Sequence, residues 1–207
     1  MIRRARLRPA LFLALAASAA CAPATLASRA WAPAAAPGAA AAPRTASDPH
    51  EGHGAAATWI GVPIDDQLAA LRRATEPFRD LERAKAAKWD TAITPCWYHA
   101  TQGAMGYHYA EVARLDGVVD SLRPEALMYE PQADGSFALV GVEYIVPIQH
   151  WDRADRPRLF GRDFDRNDAL GLYVLHVWAW RDNPSGIFAG WNPAVTCAHA
   201  AAAEERG

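Results

Sequence analysis

The sequence predicts an α+β fold in which an N-terminal helix, kinked at Pro77, packs on a curved antiparallel β-sheet or small barrel. Three observations predict it. Apolar residues recur at helical spacing between Asp65 and Lys88, and from Met105 onward the chain turns to β-branched and aromatic runs separated by turn residues. At 207 residues with 51% hydrophobic content, the chain is long enough for one domain and too short for two full ones.

The chain begins with the pattern of an export signal. Arg3, Arg4, Arg6 and Arg8 form a basic n-region, Ala10 to Ala20 is an apolar run, and small residues offer a cleavage site at Ala17-Ser18-Ala19. That run is far shorter than the roughly 20 residues needed to span a bilayer. Ser18-Ala19-Ala20-Cys21 is similar to the end of a bacterial lipobox, with Ser18 in the place usually held by Leu, which makes Cys21 the candidate for lipidation. Residues 1–21 are thus read as a signal peptide. Residues 22–57 are rich in Ala and Pro and poor in large apolar side chains, so they cannot bury enough surface to offset their ordering entropy. They read as a disordered tether. Its end carries His50, Glu51 and His53, a set that suits weak metal binding but reads more simply as solvated linker. A single domain is expected over 58–200, followed by a disordered tail over 201–207.

Within the domain, Asp65 or Asp66 is placed to cap a helix whose apolar positions are Leu68, Leu71, Phe78 and Leu81. Pro77 either kinks it or opens a second helix capped by Thr75. Strands are expected over Met105 to Val112, Ala126 to Glu130, Phe137 to Val146 and Leu172 to Trp180. Asp134-Gly135 marks a hairpin between the second and third. Residues 148–170 carry nearly balanced Arg and Asp and read as a long loop of the kind that serves as a lid. The segment from Asn183 to Cys197 reads as coil anchored by its cysteine.

Charge and motifs narrow the function. The chain holds 21 Lys+Arg against 23 Asp+Glu, and loss of the four leading arginines makes it more acidic still, so nucleic acid is excluded as a partner. No basic amphipathic stretch points to a membrane surface, leaving Cys21 as the route to membrane attachment. Cys96 and Cys197 are expected to pair in an oxidising compartment. Closing a loop of about 100 residues contributes on the order of 4–5 kcal/mol in the chain-entropy treatment. Dinucleotide, P-loop, nucleophile-elbow and CxxC signatures are absent. Asp163 to Asn167 starts like a calcium loop, but Asp168 and Val174 stand where its Gly and Glu belong.

What remains is polar residues inside strands. Alternation puts His176 on one face with Leu172, Val174, Trp178 and Trp180, and Glu143 on one face with Phe137, Leu139 and Ile145. His108 alternates with Tyr107 and Tyr109. A buried carboxylate needs a partner, so His108, Glu143 and His176 are read together. They form a hydrogen-bonded core network, the polar wall of a small-molecule pocket, or a site for zinc, copper or iron. His99, Glu125 and Tyr129 are weaker candidates for the same cavity, and Trp178, Trp180 and Trp191 are candidates for a ring-stacking platform.

The strings Met105 to Tyr109, Pro124 to Leu127, Leu139 to Tyr144 and Leu175 to Cys197 resemble a family of uncharacterised secreted bacterial proteins. The likeness spans about residues 90–197. It implies export and a single domain, and brings no activity, cofactor or catalytic residue. The leading expectation is therefore a cell-envelope module binding a small ligand or metal, in the periplasm, on the outer membrane or secreted. The alternatives are an enzyme using Glu143 with His108 or His176, and a structural protein without a pocket.

Overall fold

A computed structural model describes residues 61–201. The export signal, Cys21, the tether with His50, Glu51 and His53, and residues 202–207 lie outside the described residues.

The helical region is broken in the way Pro77 requires, with different caps. Helix α1 spans Ile64–Thr75, a single 3-10 turn follows over Glu76–Arg79, and α2 spans Leu81–Ala86. Asp65 and Asp66 lie inside the first turn of α1, where their charge suits the helix dipole, and Pro63 takes the cap position. Asp80 caps α2 by accepting hydrogen bonds from the backbone of Glu82 and Arg83. Thr75 holds the N-cap position of the 3-10 turn that Pro77 helps to open, but its side chain makes no cap bond; its hydroxyl donates to the Leu71 carbonyl at 2.9 Å. Leu68, Leu71, Leu81 and Ala84 form one buried stripe.

The strands are β1 (Thr91–Ala92), β2 (Trp97–His99), β3 (Gly103–Ala110), β4 (Ala126–Pro131), β5 (Phe137–Pro147), β6 (Arg158–Leu159), β7 (Arg162–Asp163), β8 (Asp165–Asn167) and β9 (Leu172–Val177). Seven of them make one antiparallel sheet in the order β1-β3-β4-β5-β9-β8, with β2 also paired to β3, and β6 and β7 form a separate hairpin. The sheet is open rather than closed into a barrel. Its first face, with Leu127, Tyr129, Val142, Tyr144, Val146, Tyr173, Leu175 and Val177, packs under the helices. The second face carries Ala110, Ala126, Met128, Ile145 and Trp178 and is covered by loops and the C-terminal segment.

Three expectations are corrected here. The β4–β5 ladder pairs Met128 with Gly141 but Tyr129 with Leu139, so Val140 is an extra residue in β5. That bulge reverses the alternation, putting Phe137 and Leu139 on the helix face while Glu143 and Ile145 occupy the other. Strand β9 stops at Val177 instead of running to Trp180. Trp180 turns back to the helices, where its indole N–H donates to the Thr75 hydroxyl at 3.0 Å. Finally, residues 148–170 are no free lid. They fold into a turn, the β6–β7 hairpin and edge strand β8, and they bury Phe160 and Phe164 in the core beside Tyr144.

The C-terminal coil is anchored as expected. Cys96 and Cys197 form a disulfide across 101 residues. Ala104 and Asn192 exchange backbone hydrogen bonds at 3.1 Å, and buried Glu130 accepts from the Thr196 backbone and from Arg181. Val195 of this coil packs on the second face of the sheet with Met128, Val140 and Trp178.

Candidate metal centre

The register of the sheet brings the three principal candidates together. Glu143 of β5 pairs with Ala126 of β4 on one side and with His176 of β9 on the other. His108 of β3 pairs with Met128, two residues along β4 from Ala126 and on the same face. Fully buried Ala126 therefore stands beside Glu143 and diagonal to His108, on the strand that separates them.

The geometry converges on the carboxylate. His108 Nε2 stands 3.4 Å from Glu143 Oε2, and His176 Nε2 stands 3.4 Å from Oε1. The two imidazole rings meet edge to face with centroids 5.9 Å apart. Neither contact has the alignment of a hydrogen bond: both Nε2 atoms are buried without a hydrogen-bond partner. Leaving such an atom unpaired costs about 1–3 kcal/mol. Exposure is 8% at Glu143 and His176 and 1% at His108, so all three are buried.

Burial sets the charge. It pushes the Glu143 carboxyl up to about 8 and the His176 imidazole down to about 4. His108 falls to about 3, through burial first and the neighbouring His176 second. Near neutral pH both imidazoles are neutral and Glu143 holds its proton, so the cluster is uncharged. A divalent cation reverses the balance for the carboxylate, because a positive charge at contact favours its ionised form.

The donor set fits such an ion. One ligand atom from each residue lies within 4.8 Å of the others. Ligands about 2.0–2.1 Å from zinc lie roughly 3.3–3.4 Å apart in a tetrahedron, the length of the two His–Glu contacts, each of which reaches a different carboxylate oxygen. An outer contact is already in place, because His108 Nδ1 lies 2.9 Å from the Thr94 hydroxyl. Thr94 escaped the sequence reading; the one available signal was its place two residues before Cys96.

The weaker candidates do not join the cluster. His99 sits on exposed β2, where its ring meets Thr101 and Gln102 and tilts against Trp191, and it lines a separate surface cleft with Tyr98, Val195 and Cys197. Glu125 is buried, but its Oε2 accepts the Ile145 backbone N–H at 2.9 Å, so it completes the start of the β4–β5 ladder instead. Tyr129 lies on the helix face and donates to the Phe78 carbonyl. Trp178 does share the face of His176, yet its indole donates to the Ala189 carbonyl under the C-terminal cover, and Trp180 lies across the sheet. With Trp178 and Trp180 on opposite faces, no stacking platform forms. The calcium-like Asp163 to Asn167 is split between β7 and β8.

Comparison with protein-family profiles, curated proteins and solved structures finds no match to this chain.

Proposed function

We propose that this protein is an exported module that binds one transition-metal ion, zinc in the first place, through His108, Glu143 and His176. One observation carries the reading: two buried imidazole Nε2 atoms, neither hydrogen-bonded, both face the oxygens of one buried carboxylate. A core network held together by hydrogen bonds would satisfy those atoms, whereas a cation satisfies all three groups at once. Two imidazoles and a carboxylate also suit copper and iron, and zinc is taken first because such a set with an open position is a familiar zinc site. Three protein ligands leave a further position open to water or a small molecule.

Export is supported by the basic and apolar N-terminal pattern and by the Cys96–Cys197 disulfide, which is compatible with an oxidising compartment. No helix among the described residues is long and apolar enough to cross a membrane.

Elemental analysis of the full chain, purified without chelator or affinity metal, tests the reading. Near one equivalent of zinc, copper or iron in the wild type and none in a His108→Ala, Glu143→Ala, His176→Ala variant supports it. Equal metal content in both would remove it.

A further inference from the structure

We propose that Thr94 is the positioning residue of the metal centre, and that the Cys96–Cys197 disulfide acts on the centre through it. This inference rests on the metal-binding reading above. The segment around Thr94 grips His108 at three points. The Ile93 backbone N–H donates to the His108 carbonyl at 2.9 Å, the His108 backbone N–H donates to the Thr94 hydroxyl oxygen at 3.2 Å, and that same oxygen lies 2.9 Å from the ring Nδ1. Backbone and ring of one ligand are thus fixed by one neighbouring turn.

The hydroxyl is chemically suited to this place. It has one proton to donate and two lone pairs, of which the His108 backbone N–H uses one. With no metal, the hydroxyl donates to Nδ1 and the ring proton sits on Nε2, facing Glu143. With metal on Nε2, the ring proton moves to Nδ1 and is accepted by the second lone pair. A threonine hydroxyl serves both tautomers without changing its position; a valine serves neither.

The disulfide adds to the hold on the turn. Apart from the contacts to His108, the chain around Thr94 is bound to β3 through two residues of β1 and three of β2, and both strands are exposed. Pro95 locks the backbone between Thr94 and Cys96 and restrains Thr94 to extended conformations. The restraint on Cys96 is therefore passed to Thr94 across one rigid residue. At its other end, Cys197 follows Val195, buried against Met128 and Trp178, and Thr196, held by Glu130.

The test compares zinc dissociation constants, by competition with a chromophoric chelator, for the wild type, Thr94→Val, Thr94→Ser and the Cys96→Ser, Cys197→Ser pair. The His108 tautomer is followed by nitrogen NMR. Thr94→Val should weaken zinc binding about 10–100-fold, as loss of an outer-shell contact does, and Thr94→Ser should restore it to near the wild-type value. The serine pair should weaken binding in the wild-type background and add little in the Thr94→Val background. In the wild type, zinc should move the His108 ring proton from Nε2 to Nδ1. Zinc binding in the wild type that is unchanged in Thr94→Val overturns the role of Thr94 and leaves the metal site standing. A serine-pair loss of equal size in both backgrounds overturns the coupling. No zinc binding by the wild type overturns the metal reading and this inference with it.

Discussion

Glu143 lies directly opposite His176 in the β5–β9 ladder, and its Oε1 stands 3.4 Å from the imidazole Nε2 without forming a hydrogen bond. The pair shares a sheet face with His108, so each residue is the polar neighbour of the others in a buried site. Removing one should strand the rest, at roughly 1–3 kcal/mol for each single change, while a double apolar change removes the need on both sides. In metal-free protein, His176→Leu and Glu143→Leu should together cost at least about 0.5 kcal/mol less than the sum of the single changes. Urea denaturation of the four proteins measures this. Additive costs would mean that the two residues do not interact.

The metal-free protein should be most stable at mildly acidic pH. Glu143 and Glu125 are raised by burial from 4.5 to about 8, so the folded state keeps two protons that the unfolded chain gives up. Their contribution is complete below about 4.5 and is lost as pH rises through 8. His108 and His176 are lowered from 6.5 to about 3 and about 4, so their contribution is complete above 6.5 and is lost as pH falls through those values. The two trends meet between 4.5 and 6.5. Urea midpoints across pH 3–9 should peak there and decline toward pH 8. Bound metal should reverse the alkaline decline, because it binds the ionised carboxylate.

Glu125 should tolerate amide better than hydrocarbon. Its Oε2 accepts the Ile145 N–H, whereas Oε1 is buried without a partner. At pH 6 the group is protonated, so Glu125→Gln keeps the acceptor at a cost below about 1 kcal/mol, while Glu125→Leu leaves the Ile145 N–H unpaired and costs about 1–3 kcal/mol. The same Gln variant should flatten part of the alkaline decline. Equal costs for both variants would show that the acceptor role is unimportant.

Ala126 should be intolerant of size. Its methyl lies between the His108 and Glu143 columns of the sheet, fully buried. Ala126→Leu should destabilise by about 1–3 kcal/mol through overpacking and should also abolish metal binding. If the variant folds and retains wild-type zinc affinity, the cation does not sit over β4.

The sequence made the site legible where period-two alternation held. Leu172, Val174, His176 and Trp178 share a face because β9 is regular up to Val177, and the two cysteines announced their bond. The reading of Glu143 reached the correct burial with Ile145 as the one correct neighbour of three. One extra residue, Val140, moved Phe137 and Leu139 to the other side, and a bulge leaves no mark in the hydrophobic pattern. Strands β6, β7 and β8 are two or three residues long, too short to show a period, so 148–170 read as loop. Glu125 and Tyr129 are buried like the site residues, and only the three-dimensional register separates them from it.

Calorimetric titration of zinc into chelator-stripped full-length protein at pH 7, in two buffers of different ionisation enthalpy, tests the central claim most directly. Ligation requires an ionised carboxylate and neutral imidazoles, and at this pH Glu143, with its value near 8, holds its proton while His108 and His176 are already neutral. One zinc should bind per chain with close to one proton released, and both signals should be lost in Glu143→Ala. Absence of binding, or binding that persists unchanged in Glu143→Ala with no proton release, would contradict it.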